Sequence, residues 1–126
     1  MKVYVRKIFP HDVTHEVSLR VDIVDDFFEG KTTDLYFTGK LSGSKGIVTI
    51  NNATDPRFGG CFKSLISDEG KVKVNDILLI YKISSSEYKI EIVKQNDERY
   101  FDLMVLFRGK NRHYFLETEE ELKIVM

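Results

Sequence analysis

Residues 2–8, KVYVRKI, alternate in polarity and are rich in β-branched and aromatic side chains, which predicts a strand. Residues 9–16 form a polar loop, and VSLRV (17–21) predicts a second strand, with Leu19 and Val21 on the opposite face from Ser18 and Arg20. DIVDDFFEG predicts a short helix capped by Asp22 and ended by Gly30, with Ile23 and Phe27 facing inward beside Val24 and Phe28. DLYFTG and IVTIN predict strands flanking the glycine-serine-lysine loop KLSGSKG. NATDPRFGG is turn-rich and irregular, and CFKSLIS predicts a second short helix. ILLIYKI and EYKIEIV predict strands joined by a serine turn, the first apolar on both faces at 77–80, as in a closed or covered sheet. NDERYFDLMVLFRGKN is the strongest helical pattern, with Asn96 as cap, Asp97 and Glu98 in the first turn and Gly109 as stop. HYFLE predicts a last strand before the charged end TEEELKIVM. Six or seven strands with two short helices and one longer helix imply a mainly β (α+β) barrel or pseudobarrel.

A chain of 126 residues with one cysteine supports one cored domain and no internal disulfide, which suits a reducing, cytoplasmic setting. No apolar run has the length of a membrane span, and MKVYVRKIFP lacks the apolar core of a signal peptide, so no membrane partner is expected. The net charge of −1 argues at first against a polyanionic partner, but its distribution alters that view. Residues 1–20 sum to +2 and residues 38–63 to +3, while residues 21–37 between them sum to −4. Two basic, polar, glycine-containing or loop-forming segments are therefore attached to strands of a small barrel, where loops commonly carry binding function.

HDVTH (11–15) is one methylene from the H-E-x-x-H signature of zinc hydrolases. That signature needs a helix, and Pro10 with β-branched Val13, Thr14 and Val17 argues for a loop instead. GKLSGSKG resembles a phosphate cradle, but Lys40 precedes Leu41 and the loop leads into a strand, which excludes a Walker loop. Cys61 reads as a small buried hydrophobe, since no neighbour supplies a base and a pairing with His113 lacks support. No catalytic set and no cofactor emerge, so a binding domain is expected rather than an enzyme. Lys and Arg can neutralise phosphates, and Ser, Thr, Asn and His can reach base edges.

VYVRKIFPHDVTHEVSLRVDIVDDFF resembles the opening of the plant-type B-three DNA-binding domain and of its bacterial relative, the N-terminal effector-binding domain of EcoRII. The shared order is strand, basic pair, polar arm, strand, and a short helix ending in paired aromatics. CFKSLI…VKVNDILLIYKI resembles a second element of that family, with Asn75-Asp76 where Gly-Asp is usual; Asn tolerates the same left-handed backbone. The resemblance covers residues 3–94. It implies a seven-stranded open pseudobarrel with short flanking helices and an extra C-terminal helix, gripping the DNA major groove with two arms.

By order along the chain, the N-arm is 6–17 and the C-arm 38–57. The DNA-contacting residues implied are Arg6, Lys7, His11, Asp12, Thr14, His15, Arg20, Lys40, Ser42, Ser44, Lys45, Asn52 and Arg57. Either GKLSGSKG or NNATDPRFGG could supply the C-arm contacts. Residues 1–95 are expected to form the DNA-binding barrel, and 96–126 an accessory helix and C-terminal extension of the same domain that is either an accessory to the barrel or a link to an effector domain. The expected partners are double-stranded DNA and an effector domain or subunit, a nuclease or an NTPase, of a modular restriction enzyme that includes the LlaJI and McrB-like kinds. The alternatives are an RNA-binding barrel of the PUA type, a small metalloenzyme using HDVTH, and a protein-interaction barrel.

Overall fold

The computed structural model describes residues 1–52, 55–107 and 111–126. Gly109, expected as a helix stop, lies outside them, as do Ala53 and Thr54 of the NATDPRFGG segment. Seven strands are present among the described residues: β1 (Lys2–Lys7), β2 (Leu35–Gly39), β3 (Lys45–Asn51), β4 (Arg57–Gly60), β5 (Ile77–Lys82), β6 (Glu87–Val93) and β7 (His113–Leu116). They form one mixed, curled half-barrel sheet in the order β4-β3-β2-β6-β5-β1-β7. The β2–β6 pairing is parallel and the other pairings are antiparallel. The short helices are α1 (Pro10–Thr14), α2 (Val21–Asp26), α3 (Phe62–Glu69), α4 (Tyr100–Val105) and α5 (Glu119–Leu122).

Each face of the central strands buries a different core. Tyr4 and Ile8 on one face join Leu78, Ile80, Tyr88 and Ile90 inside the curl, packed with Phe27, Phe28, Phe37, Phe58 and Phe62. Val3 and Val5 on the other face join Ile77, Leu79 and Tyr81 beneath α4 and the C-terminal residues, through Leu103, Phe107 and Val125. The period-2 alternation of a strand makes this division. It explains why Ile77–Ile80 are apolar without interruption and fully buried.

Four expectations change. Within VSLRV, residues 17–20 are an extended segment with a single bridge, Ser18 to Arg57, and not a ladder strand, and Val21 begins α2. RFGG, placed in an irregular region by sequence, is β4; Gly60 turns the chain out of it at φ +62, where an added Cβ would meet Ile47 O at 2.9 Å. The long helix is confined to α4, because Asp97 accepts from the Arg99 N–H at 2.8 Å and the Arg99 side chain reaches back to Glu91 at 2.7 Å, which holds 97–99 in a turn. The fourth is HDVTH, which lies within and just after α1. Pro10 occupies the first helical turn, where its missing N–H costs no hydrogen bond, and a single turn tolerates β-branching. Asn75 adopts φ 74, the left-handed conformation expected of it.

Candidate nucleic-acid interface

The N-arm is built outward from a buried ion pair. Alternation along β1 puts Arg6 on the same face as Tyr4 and Ile8, toward the core, and the residue is 0% exposed. Arg6 donates from both terminal nitrogens to the Asp12 carboxylate at 2.8 Å, and from Nε to Ser18 O at 3.0 Å. Asp12 also accepts from the Phe9 N–H at 2.9 Å, closing the first turn of α1. One guanidinium thus ties together both ends of the arm. Lys63, from α3, donates to Asp12 O at 2.7 Å at the far end of α1, where free carbonyls and the helix dipole favour a cation.

This bracing corrects two expectations. Arg6 and Asp12 were expected to contact DNA, yet both side chains are buried and spent on each other. The polar side chains exposed on α1 and at its end are His11, Thr14 and His15, beside exposed Pro10 and Val13. The two imidazoles lie parallel, centroids 4.2 Å apart, and Thr14 Oγ1 is 2.7 Å from His15 Nδ1. The histidines therefore share a helix face, contrary to expectation. The carboxylate between them points inward and is fully engaged, so it is not placed as a base for water bound at the rings. No group of three or more His, Cys, Asp or Glu side chains converges as a metal site among the described residues.

The second arm is decided by pairing. Ser18 bridges Arg57, Leu19 N–H donates to Pro56 O at 2.8 Å, and Phe58 N–H donates to Val17 O at 2.9 Å. The root of the N-arm is therefore hydrogen-bonded to the root of the 52–57 loop. Exposed Asn52 and half-buried Arg57 belong to this side.

The 40–44 turn lies at the other end of β3, about 20 Å away along that strand, and its groups are committed locally. Lys40 pairs with Glu91 at 3.3 Å and lies 5.1 Å from the Tyr81 ring. Leu41 and Ser42 N–H groups donate to buried Glu69 at 2.8 and 2.7 Å, and Ser44 N–H donates to Ser42 Oγ at 3.1 Å. Lys45 lies on the outer face of β3, beside Tyr36, Thr38 and Lys89. Of the expected contacts, then, Lys7, His11, Thr14, His15, Arg20, Asn52 and Arg57 gather around the two joined roots. Lys40, Ser42, Ser44 and Lys45 do not.

Sequence reading missed the contribution of β7. Its pairing with β1 carries Arg112 beside Lys7, whose N–H donates to Arg112 O at 3.2 Å. Asn111 and Arg112 line one depression with Ser18, Arg20 and Asp55, between the roots of the arms. The only signal was the basic character of the residues before HYFLE, which lie outside the resemblance. Next to them His113 is buried, stacked on Tyr4 and sharing a 2.5 Å hydrogen bond with its hydroxyl. Burial, with the nearby Arg6, pushes the His113 imidazole down to about 3, so it is neutral at physiological pH.

A curled seven-stranded mixed sheet, a braced N-terminal arm rooted on a second arm and a capping helix after β4 define a B-three-like pseudobarrel. Among solved structures, the N-terminal domain of Helicobacter pylori LlaJI.R1 is similar at a TM-score of 0.87 and 33% identity, over 94% of this chain and 100% of that one. The chain belongs to the family of that LlaJI N-terminal domain. No protein-family model and no curated protein sequence matches it. No helix among the described residues is long and apolar enough to cross a membrane.

Proposed function

We propose that this chain is the double-stranded DNA-targeting module of a restriction system, binding DNA in the major groove through the N-arm and the 52–57 arm and leaving cleavage to an effector domain or subunit. The observation that carries the reading is the buried Arg6–Asp12 pair. A buried ion pair is a poor way to gain stability, since desolvation consumes most of its Coulomb energy. Here it fixes one helical turn that carries His11 and Thr14 outward, with His15 just after it, which suits a rigid reading element. His11, Thr14 and His15 meet base edges in this reading, Arg57 meets a guanine edge or a phosphate, and Lys7 meets a phosphate. Membership in the LlaJI N-terminal family supports the same assignment.

The test is selection of bound duplexes from a random pool, followed by affinity measurements on preferred and scrambled duplexes with structured RNA as competitor. His15→Ala is expected to cost about 1–3 kcal/mol on the preferred duplex and little on the scrambled one. Failure to enrich any duplex, or preference for the RNA, overturns the proposal.

A further inference from the structure

Six surface cations among the described residues face a carboxylate. Lys2, Arg20, Lys40, Lys82, Lys94 and Arg99 each form an ion pair within 4.0 Å. Among the cations that form no ion pair, Lys7 and Arg112 are the two that share one aromatic ring. The Arg112 guanidinium lies over the Phe9 ring, 4.2 Å from its centroid, and the Lys7 ammonium approaches the same ring at 5.6 Å. Neither cation has a carboxylate partner among the described residues. Asp12 is buried against Arg6, and Asp55 lines the depression that Arg112 borders without an ion pair to either cation.

Two like charges held on one ring repel, and the ring quadrupole offsets only part of that cost. A multiply charged anion between them removes the repulsion. The position is also specific: the ring belongs to the residue that precedes α1, and Arg112 lines the depression that borders the second arm.

We infer that Lys7 and Arg112, set by the Phe9 ring, form a phosphate seat between the two arms, and that β7 thereby supplies a third element of the DNA grip. The inference rests on the DNA-targeting reading and adds to it residues beyond the N-arm and the 52–57 arm. The stacked guanidinium keeps its planar N–H fork, which suits phosphate oxygens, and Phe9 restricts both cations before DNA arrives.

The experiment measures affinity against salt concentration on preferred and scrambled duplexes, for the wild type, Arg112→Ala, Arg112→Gln and Phe9→Leu, with Lys123→Ala as a remote charge control and near-ultraviolet circular dichroism to verify folding. Removal of Arg112 is expected to weaken both duplexes alike, up to about tenfold at 0.1 M salt, and to flatten the plot of log affinity against log salt by about one unit. Phe9→Leu keeps the charges and is expected to lower affinity less, with the slope nearly unchanged, and Lys123→Ala to change neither. An unchanged slope in folded Arg112→Ala or Arg112→Gln overturns the seat, as does a loss confined to the preferred duplex, which marks base reading. Wild-type protein that binds no duplex overturns the DNA-targeting reading itself.

Discussion

The N-arm and the 40–44 turn both carry lysine and hydroxyl side chains and are attached to strands of the same sheet. Each is also held by one buried carboxylate, Asp12 at 2% exposure and Glu69 at 6%. What differs is where the positive charge goes. Asp12 is satisfied by Arg6 from inside the barrel, which leaves Lys7 and Arg112 without acids. Glu69 is satisfied by two backbone N–H groups, while Lys40 is drawn onto Glu91. A basic loop becomes a candidate polyanion surface when its buried acid is neutralised from within and its outer cations stay uncompensated. Composition alone does not separate the two cases.

The sharpest way to break this comparison is to remove each carboxylate. Asp12→Ala strands a buried guanidinium and is expected to destabilise the fold by about 3–5 kcal/mol, read from the urea midpoint. Replacing the pair together, Arg6→Met with Asp12→Leu, is expected to recover much of that stability without recovering duplex discrimination. Recovery of both would show that the brace is not what orders the arm. Glu69→Ala leaves two turn N–H groups to seek other partners and is expected to cost about 1–3 kcal/mol. DNA affinity of the folded variant should be retained; a collapse of affinity would put the 40–44 turn back in the interface.

A smaller effect follows from His113. Its folded-state pKa lies below the unfolded value, so the stability tied to its neutral ring is complete above about pH 6.5 and declines as pH falls toward the folded value of about 3. Between about pH 6.5 and 5, above the range where ordinary carboxylates titrate, His113→Gln is expected to flatten the fall of the urea midpoint. Equal slopes for wild type and variant would show that the ring is free to protonate in the fold. The smallest expected change is in Lys40→Ala, whose charge is already matched by Glu91: the salt slope of DNA binding should stay as it is, whereas Arg57→Ala should flatten it if Arg57 meets a phosphate.

Much of the architecture was legible from alternation and turn chemistry. The seven-strand total agreed with expectation, but the membership was exchanged. VSLRV has strand-like residues and makes one bridge, while RFGG has little β-propensity and is a strand because β3 lies alongside it. The α1 turn was missed because Pro10 was read as a breaker and not as a starter. Within the site, Arg6 and Asp12 were misassigned although a signal existed. Alternation through Tyr4, Arg6 and Ile8 aims Arg6 at the core, where a charge requires a partner, and Asp12 is the acid available in the following loop. Arg112 had no such signal, since nothing in its local sequence tells that β7 pairs with β1.

The position of β1 also governs how the molecule is made. Of the seven strands described, the earliest in the chain lies between β5, which starts at Ile77, and β7, which starts at His113. At about 5–20 residues per second, its partners follow it by roughly 4 to 20 s. Until then Val3, Tyr4 and Val5 have no sheet to enter, and Arg6 has no enclosed face on which to meet Asp12. Long-range pairing of this kind slows folding. A nascent chain therefore carries the residues of the N-arm well before it carries the arm, and translation arrested before His113 would leave β1 with one open edge and no strand to bring Arg112 to Phe9.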